Sequence, residues 1–471
     1  MITLYDYQVD ALKCAIDNIV ANKDDIRGRF VMPTGAGKTL VESKILEWQF
    51  ENNCSTGIHL VLAPRIMLGN QLLSEYKGFL GKESFRALAF HSGEHVAEDG
   101  VKWKEEATTQ PQKVLEAYDN AKKLDQPLVV FSTYHSCGKL EGIEFDTVIA
   151  DEAQYCVAEN FNDSYKNLSG RVRLTFTATE RHTASESGYG LNNIELYGNR
   201  WFYISPDELI QKGRIVPPRL HIAHIETVDD SASIVSQTIE IAKEQVELTN
   251  KTLDFSKILF AMNGTDDVKS IEDNVKKLKS QFPLHDVFTI TSRSGAIVNG
   301  EPVKRKEFMS RLKECENALI FHYDILSEGI DVDGITGVAI MRNMSLSKLL
   351  QTIGRAVRLY KPDPSKKPQA WISVPVVNGN EDDAERIGFI IRTLRNGGFD
   401  ISKEDVHETK GERHESEDEE MEDAFDTKST FGKFFDIEQI LHEIENDEFW
   451  VQVQETEEVD DMFDMFFKEE A

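Results

Sequence analysis

Through residues 1–205, short apolar runs alternate with stretches of helical character. Phe30-Val31 leads into a glycine-bearing turn, and further runs lie at 58–62, 128–131, 147–150 and 174–176. This alternation predicts a parallel sheet covered by helices on both faces. Three later runs, at 257–261, 287–290 and 318–321, predict a second sheet of the same kind. Residues 4–8 open a helix just ahead of the first glycine turn, and another helix is expected at 383–396. Pro217-Pro218 ends a helix and starts an extended segment, which puts a domain boundary near 205–220. The predicted layout is an N-terminal domain at 1–205, a linker and interdomain segment at 206–256, a C-terminal domain at 257–403 and a tail at 404–471.

A length of 471 residues accommodates two or three domains, and 40% apolar with 29% charged residues is an ordinary globular balance. No apolar run approaches the ~18 residues of a membrane span. The start MITLYDYQVDALK lacks the basic-then-apolar pattern of a secretory leader, so a cytoplasmic setting is expected, nucleoid-associated or in the host cytoplasm if the source is viral. Cys14, Cys54, Cys137, Cys156 and Cys315 have no paired spacing and read as reduced thiols. The net charge of −29 is unevenly spread: residues 404–471 hold 26 Asp and Glu against 5 Lys and Arg, leaving the first 403 at −8. A mildly acidic body can still carry a basic groove.

The candidate chemistry lies where apolar runs end. Met32 to Thr39 reads MPTGAGKT, in which Pro33, Thr34, Gly35, Ala36 and Gly37 form a turn able to wrap N–H groups around a polyphosphate at a helix N-terminus. Lys38 adds charge for the outer phosphates and the Thr39 hydroxyl can ligate magnesium. The strict phosphate-loop pattern has glycine where Met32 stands; alone, the stretch also reads as a Gly-rich turn with a surface lysine. Gln8 carries an amide that suits an adenine edge, or is simply a solvated helix residue. Arg65, closing the run at 58–62, and Thr133, closing 128–131, suit phosphate-backbone contact, or are a solvated arginine and a capping hydroxyl. Asp151 and Glu152 end an apolar strand, where adjacent carboxylates are unfavourable without a purpose. Magnesium on Asp151 would supply one and leave Glu152 to orient or deprotonate water. Thr177 and Thr179 end the run at 174–176. Gly329 lets backbone approach a phosphate, and Asp331 could bind a ribose hydroxyl or arginines. Gln351, Arg355 and Arg358 follow, with the arginines at i and i+3 on one expected helix face.

The order of these motifs resembles the superfamily 2 DEAD/DEAH-like helicases and translocases. Gln8 matches the adenine-reading glutamine, MPTGAGKT motif I, Ala63-Pro64-Arg65 motif Ia, Asp151 to Gln154 motif II, Thr177 to Thr179 motif III, Ser327 to Val332 motif V and Gln351 to Arg358 motif VI. The resemblance spans residues 1 to about 375 and implies two tandem RecA-like domains with an acidic, partly disordered tail. It implies ATP and Mg2+ as cofactors, Lys38, Asp151, Glu152, Gln351, Arg355 and Arg358 as catalytic residues, and nucleic-acid contacts from Arg65, Thr133, Thr177 and Thr179. DEAQ and Gln351-Thr352-Ile353-Gly354-Arg355 look more like the DNA-directed branch: phage UvsW-type branch-migration helicases and restriction-enzyme motor subunits. The expected function is a DNA helicase or translocase in recombination, repair or replication, acting on branched or duplex DNA as a monomer. The alternatives are a restriction-type motor subunit, an RNA helicase, and an ATP-gated binding switch that opens no strands. A restriction nuclease needs Pro-Asp and then Glu-x-Lys; Glu408-Thr409-Lys410 offers the second part, in a stretch without a strand pattern.

In the tail, residues 415–420 should be disordered by self-repulsion, whereas Phe435, Ile437, Ile440, Leu441, Ile444 and Trp450 have the spacing of an amphipathic helix. Phe463, Phe466 and Phe467 stand among acids. The tail then reads as a solubilising extension, a recognition peptide for a protein partner, or a nucleic-acid mimic over the motor's own groove.

Overall fold

The computed structural model describes residues 3–22, 24–52, 55–92, 107–157, 159–182, 188–225, 234–323, 332, 334–344, 346–377, 381–409 and 441. The chain forms two compact units that divide between Leu209 and Ile210. The expected motif V residues Gly329 and Asp331 and nearly all of the tail lie outside the described residues.

The first unit is built on strands β1 (Ile26–Val31), β2 (Ile58–Ala63), β3 (Arg86–Phe90), β4 (Leu128–Thr133), β5 (Glu144–Ala150), β6 (Ser169–Thr177) and β7 (Asn199–Tyr203), in the spatial order β3-β4-β2-β5-β6-β1-β7. Each neighbouring pair is parallel. β2 and β4 are buried along their whole length, as strands covered on both faces must be, and they read as apolar runs interrupted only by His59 in β2 and by Ser132-Thr133 at the end of β4. Register decides what meets at the carboxyl edge: Val31 pairs with Thr177, Ala150 with Thr175 and Ala63 with Thr133. Phe30 stacks on Phe176 at 4.6 Å between ring centroids, fixing β1 against β6 directly beneath the glycine turn.

Three helices bear on that edge. In α1 (Asp6–Ala21), Tyr7, Ala11, Ala15 and Ile19 recur at helical spacing and form the buried face. α2 (Lys38–Asn52) starts directly from the glycine turn and α3 (Ile66–Leu80) follows β2. Gly28, in the middle of β1, is needed for space, because a Cβ there would come within 2.2–2.4 Å of the Trp201 ring.

The second unit has strands β8 (Pro218–Ile225), β9 (Lys257–Ala261), β10 (Asp286–Thr291), β11 (Gly295–Val298), β12 (Glu301–Val303), β13 (Ala318–His322), β14 (Gly337–Ile340), β15 (Ala370–Val377) and β16 (Val406–Thr409). Their order is β12-β11-β10-β13-β9-β14-β15-β8-β16. β11 and β12 are antiparallel additions to an otherwise parallel sheet, turned by Asn299 and Gly300 at φ 52° and 88°, the positive pair that a tight hairpin requires.

Two sequence expectations change here. The segment 206–256, expected as a linker, carries β8, paired with β15 over eight positions, and the helix Ile234–Asn250 with a buried apolar face. Its strand escaped notice because Arg219, His221 and His224 interrupt the apolar run, although both histidines are buried with partners: Ser373 and Glu244 for His221, and Glu408 for His224. The stretch around Glu408, read as lacking a strand, is β16, laid parallel to β8 and fastened by the Glu408–His224 contact at 2.6 Å and an Asp405–Arg219 ion pair. The expected helix at 383–396 is Glu381–Asn396.

Gly28→Ala should destabilise the protein by about 1–3 kcal/mol, since Trp201 must leave its place against Phe30. Urea unfolding followed by tryptophan fluorescence measures this; an unchanged midpoint would mean the ring yields freely.

Candidate nucleotide site

The glycine turn leaves β1 at Val31 and is tied down at once, because the Met32 N–H donates to the Thr177 carbonyl at 2.9 Å. Gly35 and Gly37 take φ of 91° and 79°, conformations that residues with a Cβ rarely adopt. The Ala36 N–H closes back on Pro33 O, and the turn delivers the chain into α2 at Lys38. Among the described residues, the N–H groups of Gly37, Lys38 and Thr39 donate to nothing. Orphan donors at the start of a 15-residue helix form a cradle for an anion. The residues present therefore fit a polyphosphate, with Met32 buried below the turn where a glycine was expected.

Gln8 and Tyr7 hold the turn from α1. Gln8 Nε2 and Tyr7 Oη both donate to the Ala36 carbonyl at 2.9 Å, while Gln8 Oε1 accepts the Tyr5 N–H at 3.0 Å. A Cβ on Gly37 would lie 2.4 Å from Gln8 Nε2, so the glycine is required by contact as well as by φ. Gln8, expected to read a base, is thus a strut of the phosphate loop first. Its amide retains one N–H and one lone pair for anything else.

The acidic pair sits at the end of β5. The Asp151 N–H donates to Leu62 O at 3.0 Å, and Tyr134 Oη donates to Asp151 O at 2.7 Å, so the backbone turns here under firm constraint. Glu152 adopts φ 50°, a conformation costing on the order of 1–3 kcal/mol in a residue with a side chain. Its N–H is taken by Asp151 Oδ1 at 2.9 Å. Lys38 Nζ lies 3.4 Å from Met32 O and 3.8 Å from Glu152 Oε1, linking loop and acids. Burial, and then the neighbouring Glu152 charge, push the Asp151 carboxyl up to about 7, against the opposing pull of Lys38. A divalent cation on Asp151, with the Thr39 hydroxyl on the same edge, would relieve that energy, so the donor set suits magnesium.

Gln154 carries the connection onward: its Nε2 donates to Glu152 Oε2 at 2.9 Å, and its Oε1 accepts from Thr177 Oγ1 at 2.7 Å. The Thr179 N–H donates to the same Thr177 oxygen at 3.1 Å. Thr177, expected on nucleic acid, is instead a buried member of this line, because register with Val31 draws it into the sheet. Thr133 is also buried, with its hydroxyl donating to Ser136 at 3.2 Å. Of the expected nucleic-acid residues, Arg65 is exposed and Thr179 half-buried.

In the second unit, Gln351 and Arg355 lie on the helix Leu346–Ala356, but Arg358 does not. Expected on the same helix face, it pairs through its backbone with Ile215. Where the helix ends, Lys367 Nζ donates to the carbonyls of Ala356 and Arg358, giving partners to acceptors that have none within the helix.

Sequence reasoning quoted Gln154 only as part of a motif and overlooked Glu42, a fully buried acid one turn into α2. Its signal is an acidic residue at i+3 from Thr39 flanked by Val41 and Ile45.

A phosphate loop lies beside a strand that ends in buried Asp151 and half-buried Glu152, on the first of two successive, largely parallel sheets, and the fold is similar to that of tandem RecA-like domains. More particularly, residues 1–182 match the family model of the Type III restriction enzyme res subunit. No curated protein sequence matches the chain. Among solved structures, it is similar to the ATP-dependent Type ISP restriction-modification enzyme LlaBIII bound to DNA, with TM-score 0.64, 19% identity, and 84% of this chain and 30% of that one covered. A nuclease-deletion mutant of the Type ISP enzyme LlaGI with a DNA substrate mimic gives TM-score 0.59 and 21% identity over 84% of this chain and 29% of that one. Mss116p bound to ssRNA and AMP-PNP gives TM-score 0.53 and 14% identity, covering 87% of this chain and 78% of that one. The chain spans less than a third of the length of the two restriction-modification enzymes. Among the described residues, no helix is long and apolar enough to cross a membrane.

A carboxyl raised from 3.8 to about 7 by folding favours the folded state while it holds its proton; that contribution is complete below 3.8 and is lost as pH rises through about 7. In metal-free buffer, Asp151→Asn should therefore melt above the wild type at pH 8, with the gap closing towards pH 5. A gap independent of pH, read by calorimetry, would rule out Asp151 as the titrating group.

Proposed function

We propose that this protein is an ATP-driven DNA motor, a helicase or translocase. The observation that carries the reading is the line of contacts from Lys38, ion-paired with Glu152 at 3.8 Å, through the Glu152–Gln154 and Gln154–Thr177 hydrogen bonds, which joins a phosphate cradle to the ends of two strands. In this reading the orphan N–H groups of the loop and Lys38 bind the phosphates, and Thr39 and Asp151 hold Mg2+, which supplies charge neutralisation when bound. Glu152 orients and deprotonates the attacking water. Gln8 uses its remaining donor and acceptor on the adenine edge. Arg355 and Arg358 stabilise charge on the transferred phosphoryl group, with Gln351 beside them in sequence, a contribution worth ~10³ or more in rate. Gly329 and Asp331 bind the ribose or the arginines. Arg65 and Thr179 meet the nucleic-acid backbone.

DNA is favoured over RNA by the DEAQ and QTIGR forms of motifs II and VI. The setting we favour is branch migration or fork remodelling. A second reading, the motor of a restriction-type complex, rests on the family match at residues 1–182 and the likeness to Type ISP enzymes. Glu408, the acid of the Glu408-Thr409-Lys410 triplet, is engaged by His224 at 2.6 Å.

The test is steady-state ATP hydrolysis with no nucleic acid, single-stranded, linear duplex or branched DNA, and RNA. Strongest stimulation by branched DNA supports remodelling; stimulation that grows with linear duplex length supports the restriction-type motor; strongest stimulation by RNA overturns the DNA assignment. Glu152→Gln should retain ATP binding and lose at least about 10²-fold in turnover. Turnover equal to the wild type would remove Glu152 from the chemistry.

A further inference from the structure

Glu42 stands apart from the groups assigned above. It is fully buried, and Tyr76 of α3 donates its hydroxyl to Oε2 at 3.1 Å, while Oε1 has no hydrogen-bond partner among the described residues. A buried carboxyl with one oxygen left over is destabilising, so its retention needs a compensating contact. Its place on α2 says where that contact lies. Glu42 is three residues after Thr39 and four after Lys38, hence on the same helix face as both, and helical side chains lean back towards the N-terminus. The carboxyl therefore projects towards the underside of the Thr39 and Lys38 positions. Asp151, Lys38 and Glu152 are the charges it senses there. Burial, and next Asp151, hold Glu42 well above the usual carboxylate range.

We propose that Glu42 is an outer-sphere positioning residue of the magnesium site, with Oε1 accepting a hydrogen bond from a water on the metal held by Thr39 and Asp151, and Tyr76 fixing the carboxyl's orientation. The inference rests on the nucleotide-site reading above. It adds a residue that ligates nothing directly and sets how tightly the metal is held. Outer-shell partners of this kind change metal affinity by roughly 10- to 100-fold when removed.

The test uses the full chain and two titrations. ADP binding is measured calorimetrically in EDTA, and Mn2+ binding to the ADP complex is measured by the loss of its free electron-paramagnetic-resonance signal. Glu42→Gln should bind ADP in EDTA within about twofold of the wild type but bind Mn2+ about tenfold or more weakly. Tyr76→Phe, which keeps the acid and frees its second oxygen, should weaken Mn2+ about threefold, and it carries the test if Glu42→Gln fails to fold. Wild-type Mn2+ affinity in Glu42→Gln, or in Tyr76→Phe if that variant carries the test, overturns the proposal. A wild-type chain that binds no ADP would overturn the nucleotide site itself, an outcome separable from failure of the Glu42 assignment.

Discussion

The first unit depends on one constraint: a parallel sheet delivers several strand ends to a single edge, and here those ends carry uncompensated polar groups. Orphan helix N–H groups, Lys38, Asp151, Glu152 and Glu42 all lie at or beneath that edge. Each is held by neighbours that fix its position without neutralising it fully. Asp151 is buried beside another acid, Glu152 sits in a left-handed conformation, and Glu42 has an unmatched oxygen. The apolar body of the sheet, with Phe30 stacked on Phe176, provides the rigidity that keeps such groups from relaxing.

Much of this was legible in the sequence because the informative residues are local. MPTGAGKT reports its own turn and helix start, and the strand ending in Asp151-Glu152 reports its own contradiction of burying charge. What was hidden depends on register. Whether Thr177 meets a ligand or Gln154 is decided by β6 lying beside β1 at the offset that pairs Thr177 with Val31, and no periodicity within β6 contains that information. The hydrogen bond of Thr133 was hidden for the same reason, since a hydroxyl at a strand end looks alike from sequence whether it faces outwards or towards Ser136.

The second unit shows the complementary failure, in which polar residues conceal structure. Histidines and an arginine broke the apolar signal of β8, and Glu408 broke that of β16, yet these residues have partners across the pair: His224 with Glu408, and Arg219 with Asp405 in the turn just before β16. Apolar periodicity finds strands buried by hydrophobic contact and passes over those whose buried polar groups satisfy each other. Arg358 illustrates a smaller version. Its spacing from Arg355 fits a helix, but Lys367, nine residues on, takes the carbonyls at which the helix stops.

Gln8 shows how recognition and loop geometry can be one property. Its amide already spends a donor on Ala36 and an acceptor on the Tyr5 backbone, and the loop's Gly37 fits only because it has no Cβ to collide with that amide. Any base that engaged the amide's remaining donor and acceptor would also fix the rotamer that supports Ala36. Binding there would therefore be coupled, through this one side chain, to order in the phosphate loop. The Tyr7 hydroxyl, bonded to the same carbonyl, limits how far the loop can depart when Gln8 is disengaged. A loop tethered twice to one helix is held in shape before any ligand arrives, so the cradle is formed in advance.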